Sequence, residues 1–303
     1  MGGVLFTYGY GLLLASLTAT CWGIAPILYK RALGEMGVWK ANAFRGLGLL
    51  TLLILVFFFT GAETLEELLS LSVNSYLFLA LNALLSNTVG DVFYLAAIRG
   101  IGVSLAVPIT STYPLAITLI SWLWFGEALT FSVLSGTFSI VMGLALLNMH
   151  VTESNGVSRS RHLRGFVLAI LAALCWAVGM SLNKHLTLRG VSPMSITFWR
   201  SFFFSLMAIA FLPLATRGEK ETRRVSVGGA LAAAGAGIIA LFVGGWLYTT
   251  SLSIIPMNVA TPIASSSPLI AAVFACAFMG ESLRPIQWLG IVFVVGGAVA
   301  VGT

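Results

Sequence analysis

The sequence predicts an all-α membrane protein of ten transmembrane helices, arranged as two inverted five-helix repeats. Three observations carry that prediction. The chain is 58% hydrophobic and 9% charged, whereas a soluble domain carries about a quarter of its residues as charges. Its mean hydropathy is +1.00, and apolar runs near the ~20 residues needed to cross a bilayer as a helix recur along its whole length. The second half also restates the first at a spacing of 154 residues, the interval from Trp22 to Trp176.

Helix is the only viable form for these runs, because backbone polar groups in hydrocarbon must pair within their own segment. In the first copy the predicted spans are 9–29, 41–60, 74–98, 103–124 and 131–149. In the second they are 165–186, 194–215, 227–251, 257–279 and 285–302. Polar interruptions fall at 61–73, where all the charge is acidic, at 150–164 and at 216–226. The predicted organisation is therefore a first repeat at 1–149, a linker at 150–164 and a second repeat at 165–303.

LTATCWG at 17–23 is echoed by LAALCWA at 171–177. At the same spacing Gly90 meets Gly244, Tyr94 meets Tyr248, Pro108 meets Pro262 and Pro114 meets Pro268. Gly126-Glu127 meets Gly280-Glu281, while Gly136 and Gly143 meet Gly290 and Gly297. One residue of slippage brings Arg45 opposite Arg200. Chance pairing of apolar sequence matches Ala and Leu, but it does not set prolines, a Gly-Glu pair and paired glycines in one register. An odd number of spans per copy inserts the second copy upside down, a recurring plan of membrane carriers with a site where the repeats meet.

The stretch PITSTYPLAITLISWLWFGEALTFSVLSGTFSIVMG and its second copy, PIASSSPLIAAVFACAFMGESLRPIQWLGIVFVVGG, resemble the end of an EamA domain of the drug/metabolite transporter superfamily. The CW-containing first helix, the Arg opening span two and the GE-x-L turn fit as well. The resemblance implies a multi-pass carrier of the cell membrane that moves small metabolites through a central cavity. It points to a small-molecule substrate such as an amino acid or organic amine, with protons as candidate coupling ions. A phosphorylated or lipid-linked cargo is the alternative.

Individual residues give this outline its chemistry. Pro108, Pro114, Pro262 and Pro268 each remove a backbone donor and bend their helix. Freed carbonyls must then face protein or a watered cavity. Thr110, Ser111, Ser265 and Ser266 supply hydroxyls at those depths, as cavity lining or as packing glue between helices. Asp91 is the sole aspartate of the chain and lies well inside span three. A carboxylate there costs about 2.5–3.5 kcal/mol on insertion scales, so it should face the interior, within reach of Tyr94 or a span-four hydroxyl. Trp22, Trp176, Trp246, Tyr94, Tyr113 and Tyr248 fall at interior depths and suit an aromatic cage around an organic cargo. Trp39, Trp124 and Trp288 read as interfacial anchors.

Lys30, Arg45, Lys184 and Arg200 lie near span ends. They either snorkel to the interface or form a gate or charge pair. Glu127 and Glu281 read as caps of the helices that follow them. Cys21, Cys175 and Cys276 read as small buried hydrophobes. Despite a net charge of +6, the basic residues flank apolar segments, which argues for topology and the lipid bilayer rather than nucleic acid. No metal set and no cofactor loop is visible, so no enzyme chemistry is expected. Monomer and homodimer are both open. Loop Lys and Arg concentrate on the face opposite Lys184 and Arg189, which places both termini outside. The family resemblance implies termini inside.

Overall fold

The computed structural model describes residues 2–59, 61–101, 103–147, 159–215, 225–270, 273–274 and 284–303. Every regular element among them is helical. Trp39–Phe59, Val73–Tyr94, Leu163–Leu188, Val227–Ile254 and Pro285–Gly302 are five helices long and apolar enough to cross a membrane. Tyr113–Phe125 and Phe131–Leu147 are shorter apolar helices. Phe58, Phe59, Leu123, Trp124 and Phe131 stand bare on the outside. Contiguous exposed apolar surface of this kind marks a lipid-facing protein.

The acidic interruption at 61–73 differs from the polar loop expected of it. Ala62–Leu69 is a short helix, because Leu65 and Leu68 lie three apart and share a face. Leu68 is buried, and its carbonyl accepts the Trp199 indole N–H at 2.8 Å.

The helices nearest the middle of the fold are irregular, and irregular twice. Val73–Asn82 passes into a π-helical stretch, Ala83–Gly90, before regular helix resumes at Asp91–Ile101. Val227–Gly237 passes into a second one, Ile238–Gly244, before Gly245–Leu252. The two stretches end at Gly90 and Gly244, in the register of the sequence repeat. π segments are rare and concentrate at functional sites.

A second irregularity follows the same register. Val103–Thr110 stops, the chain turns at 111–112, and Tyr113–Phe125 begins with a proline in its first turn. Met257–Ala264 stops likewise, with a turn at 265–266. Pro114 and Pro268 cannot donate to the turn before them, so each helix is cut into two pieces. The side chain of Pro108 lies outside the described residues.

Phe131–Leu147 and Pro285–Gly302 are packed backbone to backbone. A Cβ on Gly136 would sit 2.7 Å from the Gly297 carbonyl, and one on Gly143 would sit 2.6 Å from the Gly290 carbonyl. An early glycine of one helix thus meets a late glycine of the other, so the two run antiparallel. Midway between those contacts the Ser139 hydroxyl donates to the Phe293 carbonyl at 2.8 Å, joining residues 154 positions apart.

Candidate functional site

The two π segments deliver their exits to two similar clusters. In the first, the Asp91 carboxylate accepts the Trp176 indole N–H at 3.2 Å and faces the Arg45 guanidinium at 3.9 Å. Arg45 is itself steadied by the Asn42 side-chain oxygen at 2.8 Å. Tyr94 packs on the Trp176 ring at 5.4 Å between centroids, and Tyr113 meets the same ring edge-on at 6.0 Å. Gly90 is needed beneath the indole, since a Cβ there would lie 2.7 Å from Trp176 Cδ1.

The second cluster repeats this plan with the halves exchanged. Trp22 packs on Tyr248, again at 5.4 Å, over Gly244, where a Cβ would lie 2.9 Å from the indole nitrogen. Trp22 donates to the Ala240 carbonyl at 3.1 Å. Gly245 stands where the first cluster has Asp91. Against it lies the Arg200 guanidinium, which donates to the Leu241 carbonyl at 2.7 Å. Tyr248 is fully buried, and its hydroxyl shares a 2.7 Å hydrogen bond with Thr261. Trp22, Tyr113 and Tyr248 belong to one continuous apolar cluster, so the two sites adjoin.

Several expectations need correction. Asp91 lies near Tyr94, as expected, but its partners among the described residues are the Trp176 indole and the Arg45 guanidinium, and Tyr94 packs on that indole. Arg45 and Arg200 do not snorkel, because their guanidinium groups find a carboxylate and a carbonyl inside the protein. Arg200 is 7% exposed. The Thr110, Ser265 and Ser266 hydroxyls turn back on the carbonyls of Ala106, Pro262 and Ile263. Those carbonyls lie within a turn of the helix breaks, and the one at Ile263 also takes the Ser266 amide, so the hydroxyls are satisfied locally by the backbone. Ser111 is buried beside them. Trp246 is 40% exposed, since residues two apart on a helix point to different faces and Tyr248 has the inner one. The side chain of Lys30 lies outside the described residues, as do Glu281 and Cys276. Cys21 and Cys175 are free thiols.

The two-cluster plan sits on a chain with known relatives. A sequence profile of the EamA-like transporter family matches residues 9–149 and matches again at 163–303. The chain belongs to that family. An uncharacterized transporter of Archaeoglobus fulgidus is 28% identical over 275 residues, covering 89% of this chain and 90% of the relative. A chloroplastic WAT1-related protein of Arabidopsis thaliana is 22% identical, over 89% of this chain and 64% of its own length. A solved crystal structure superposes with a TM-score of 0.79 at 15% identity, covering 96% of this chain and 95% of that one. This EamA-like chain is thus a multi-pass membrane transporter rather than an enzyme.

In this transporter the Gly-Glu turn caps a distant helix. Gly126 takes the left-handed conformation at φ 65° and swings Glu127 away from the helix after it. The Glu127 carboxylate accepts the backbone N–H groups of Met257 and Asn258 at 2.8 and 3.1 Å, and also holds the Ser121 hydroxyl. Lys184 pairs with it at 3.2 Å and donates to the Leu252 and Ile255 carbonyls at 2.8 and 3.3 Å. Lys184 therefore bridges a carboxylate and a helix C-terminus, with its ammonium buried between them rather than reaching solvent. The sequence placed Glu127 as a cap but gave it the wrong helix, because the true one lies more than a hundred residues away.

A buried amide cluster escaped the sequence reading altogether. Asn82 in the first bulged helix donates to Asn183 Oδ1 at 2.8 Å and to the Gly179 carbonyl. Asn82 and Asn183 are fully buried. Ser86, one turn on from Asn82, presses its hydroxyl against Gly179, where a Cβ would collide with it. The available signal was an Asn inside each of two apolar runs, which a search for ionisable residues passes over.

Proposed function

We propose that the protein is a secondary transporter of a small polar or amphipathic metabolite, an amino acid or organic amine, working by alternating access between two inverted five-helix repeats. The observation that carries the mechanism is the antiparallel contact of Phe131–Leu147 with Pro285–Gly302. Equivalent helices that meet head to tail, with Ser139 on Phe293, support a two-fold axis across the helices, as five crossings per repeat require. The π segments and helix breaks repeating in register support the same symmetry. The remaining described helices fall close to the predicted spans, which supports ten crossings and supports repeats at 1–149 and 165–303.

Asp91 is the cation-binding group of this reading and the residue placed to carry a coupling proton. Trp176, Tyr94 and Tyr113 form its aromatic wall. Proline-cut helices next to the wall let one half rock on the other. The Glu127–Lys184 pair joins the turn of the first repeat to the second repeat and acts as a latch that closes one mouth. A carrier for phosphorylated cargo would want several bases released to meet a dianion, but Lys184 and Arg45 are each committed to an acid.

Proteoliposome uptake of amino acids and amines, driven with and without a proton gradient, tests the proposal. Uptake that saturates and that Asp91→Asn abolishes is the expected result. Inward-facing and outward-facing cysteine accessibility tests the latch. Glu127→Gln should raise labelling at that mouth, and unchanged labelling would remove the latch from the mechanism.

A further inference from the structure

We infer that Arg200 docks a carboxylate carried by the transported molecule, so that the cargo is a zwitterion or organic acid rather than a plain amine. The inference rests on the transport reading above and narrows its cargo.

It follows from a charge imbalance between two otherwise equivalent clusters. Arg45 has its acid, Asp91, at 3.9 Å. Arg200 occupies the matching place, the eighth residue of the helix Pro193–Ala210, about 10 Å along it at 1.5 Å per residue. There the acid is replaced by Gly245. Among the described residues no Asp or Glu lies within the 4 Å of an ion pair. Asp91 is the sole aspartate, and the glutamates of the sequence fall outside the predicted spans. The guanidinium keeps a single protein hydrogen bond among the described residues, to the Leu241 carbonyl, out of the five donors it owns.

A buried arginine without a counter-charge is expensive, and the cost is recovered when an anion arrives. Planar, forked donors suit a carboxylate in particular. The place is packed in this structure, where a Cβ on Gly245 would collide with the Arg200 guanidinium, so a carboxylate reaches Arg200 when the two halves part, beside the ring wall of Trp22 and Tyr248. Asp91 already answers Arg45, so Arg200 is the charge left without an acid among the described residues, and a single carboxylate group answers it. A zwitterion spans both clusters, with its amine toward Asp91 and its carboxylate toward Arg200.

Thermal shift and equilibrium binding on the full-length purified protein test this. The panel holds L-amino acids, the same compounds as carboxamides, the matching primary amines, and a phosphate monoester. Wild type should bind the acids and reject the carboxamides and amines. Arg200→Gln should weaken acid binding by about 30-fold or more, the usual consequence of truncating one partner of a buried charge pair. Gly245→Asp should do the same by supplying an internal acid. The three atoms nearest its new Cβ all belong to the end of the flexible Arg200 side chain, which can shift to pair with the new carboxylate, so the variant should fold and melt no lower than wild type. If carboxamides or amines bind wild type as well as acids, or if acids bind Arg200→Gln unchanged, the subsite is overturned and transport stands. Tighter binding of the phosphate monoester overturns the monoanion argument. If nothing in the panel binds, the subsite and the amino-acid cargo fall together. Alternating access is judged apart, by the labelling at the Glu127 mouth.

Discussion

The clusters at Asp91 and at Gly245 share their architecture and differ in one side chain. Each has a tryptophan from the opposite half, a tyrosine one turn further on, a glycine under the indole and an arginine from the neighbouring helix. In the first the indole N–H goes to a carboxylate, and in the second to a backbone carbonyl. In the second cluster Arg200 has no acid partner among the described residues and donates to the Leu241 carbonyl instead, so the scaffold accepts an arginine there without the acid. On the proposed reading the Asp91 carboxylate therefore serves transport rather than folding, since ionisable groups within a membrane are costly and mark function by default.

The largest effect expected from breaking this comparison is on transport. Asp91→Asn should abolish uptake while the melting temperature stays near that of wild type, because an arginine without an acid is already tolerated at the equivalent place. A collapse of stability along with uptake would show that Arg45 depends on Asp91. Losing a buried partner then costs about 3–5 kcal/mol.

Next comes the shared packing. Gly244→Val should destabilise by about 1–3 kcal/mol, the usual cost of overfilling a packed site, because a Cβ there meets Trp22 and Cys21 at 2.9 and 3.0 Å. Gly90→Val should cost at least as much, as it also meets the Leu85 carbonyl at 2.8 Å. Chemical denaturation of both variants checks the ranking.

A smaller contrast separates the two indoles. Trp22→Phe removes a hydrogen bond to a neutral carbonyl, worth about 0.5–1.5 kcal/mol, while Trp176→Phe removes one to a charged group, worth about 1.5–3 kcal/mol. Equal losses in the two melts would mean that Asp91 does not carry its charge in this state.

The smallest expected effect lies outside the clusters. Glu35 accepts from the Ser226 hydroxyl and amide, and chiefly the hydroxyl bond holds its carboxyl below the usual carboxylate range. A depressed folded-state value contributes stability above the unfolded value, about 4.3, and that stability is lost as pH falls through the lower one. Ser226→Ala should therefore melt below wild type at neutral pH and the gap should narrow in acid, leaving the pH-independent loss of the cap that Ser226 provides to Gly229 N. A gap that widens in acid would reverse the assignment.

The sequence revealed most of this fold because its signals are long-range and redundant. Hydrophobic runs set the helices, and Pro108, Pro114, Pro262 and Pro268 fell in the same register as the two glycines that end the π segments. What stayed hidden was partner choice. Nothing in GEALT says that Glu127 reaches Met257, because that pairing depends on how two halves pack. Arg45 and Lys184 lie toward the ends of their helices, as counting residues suggested, and are mostly buried by the groups that neighbouring segments bring to them. Asn82 and Asn183 carry no charge, so no desolvation argument singled them out.

In the proposed alternating-access cycle, the glycine contacts between Phe131–Leu147 and Pro285–Gly302 would serve the two halves as a hinge pin. With carbonyls 2.6–2.7 Å from where a Cβ would stand, and a helical step of about 1.5 Å per residue, sliding one helix along the other would drive side chains into backbone. Rotation about the Ser139–Phe293 contact keeps those pairs together. Displacement then grows with distance from the pin, so a small swing there becomes a wide stroke at the far side of the molecule. A crosslink placed at the pin should leave the stroke free, and one placed far from it should arrest the cycle.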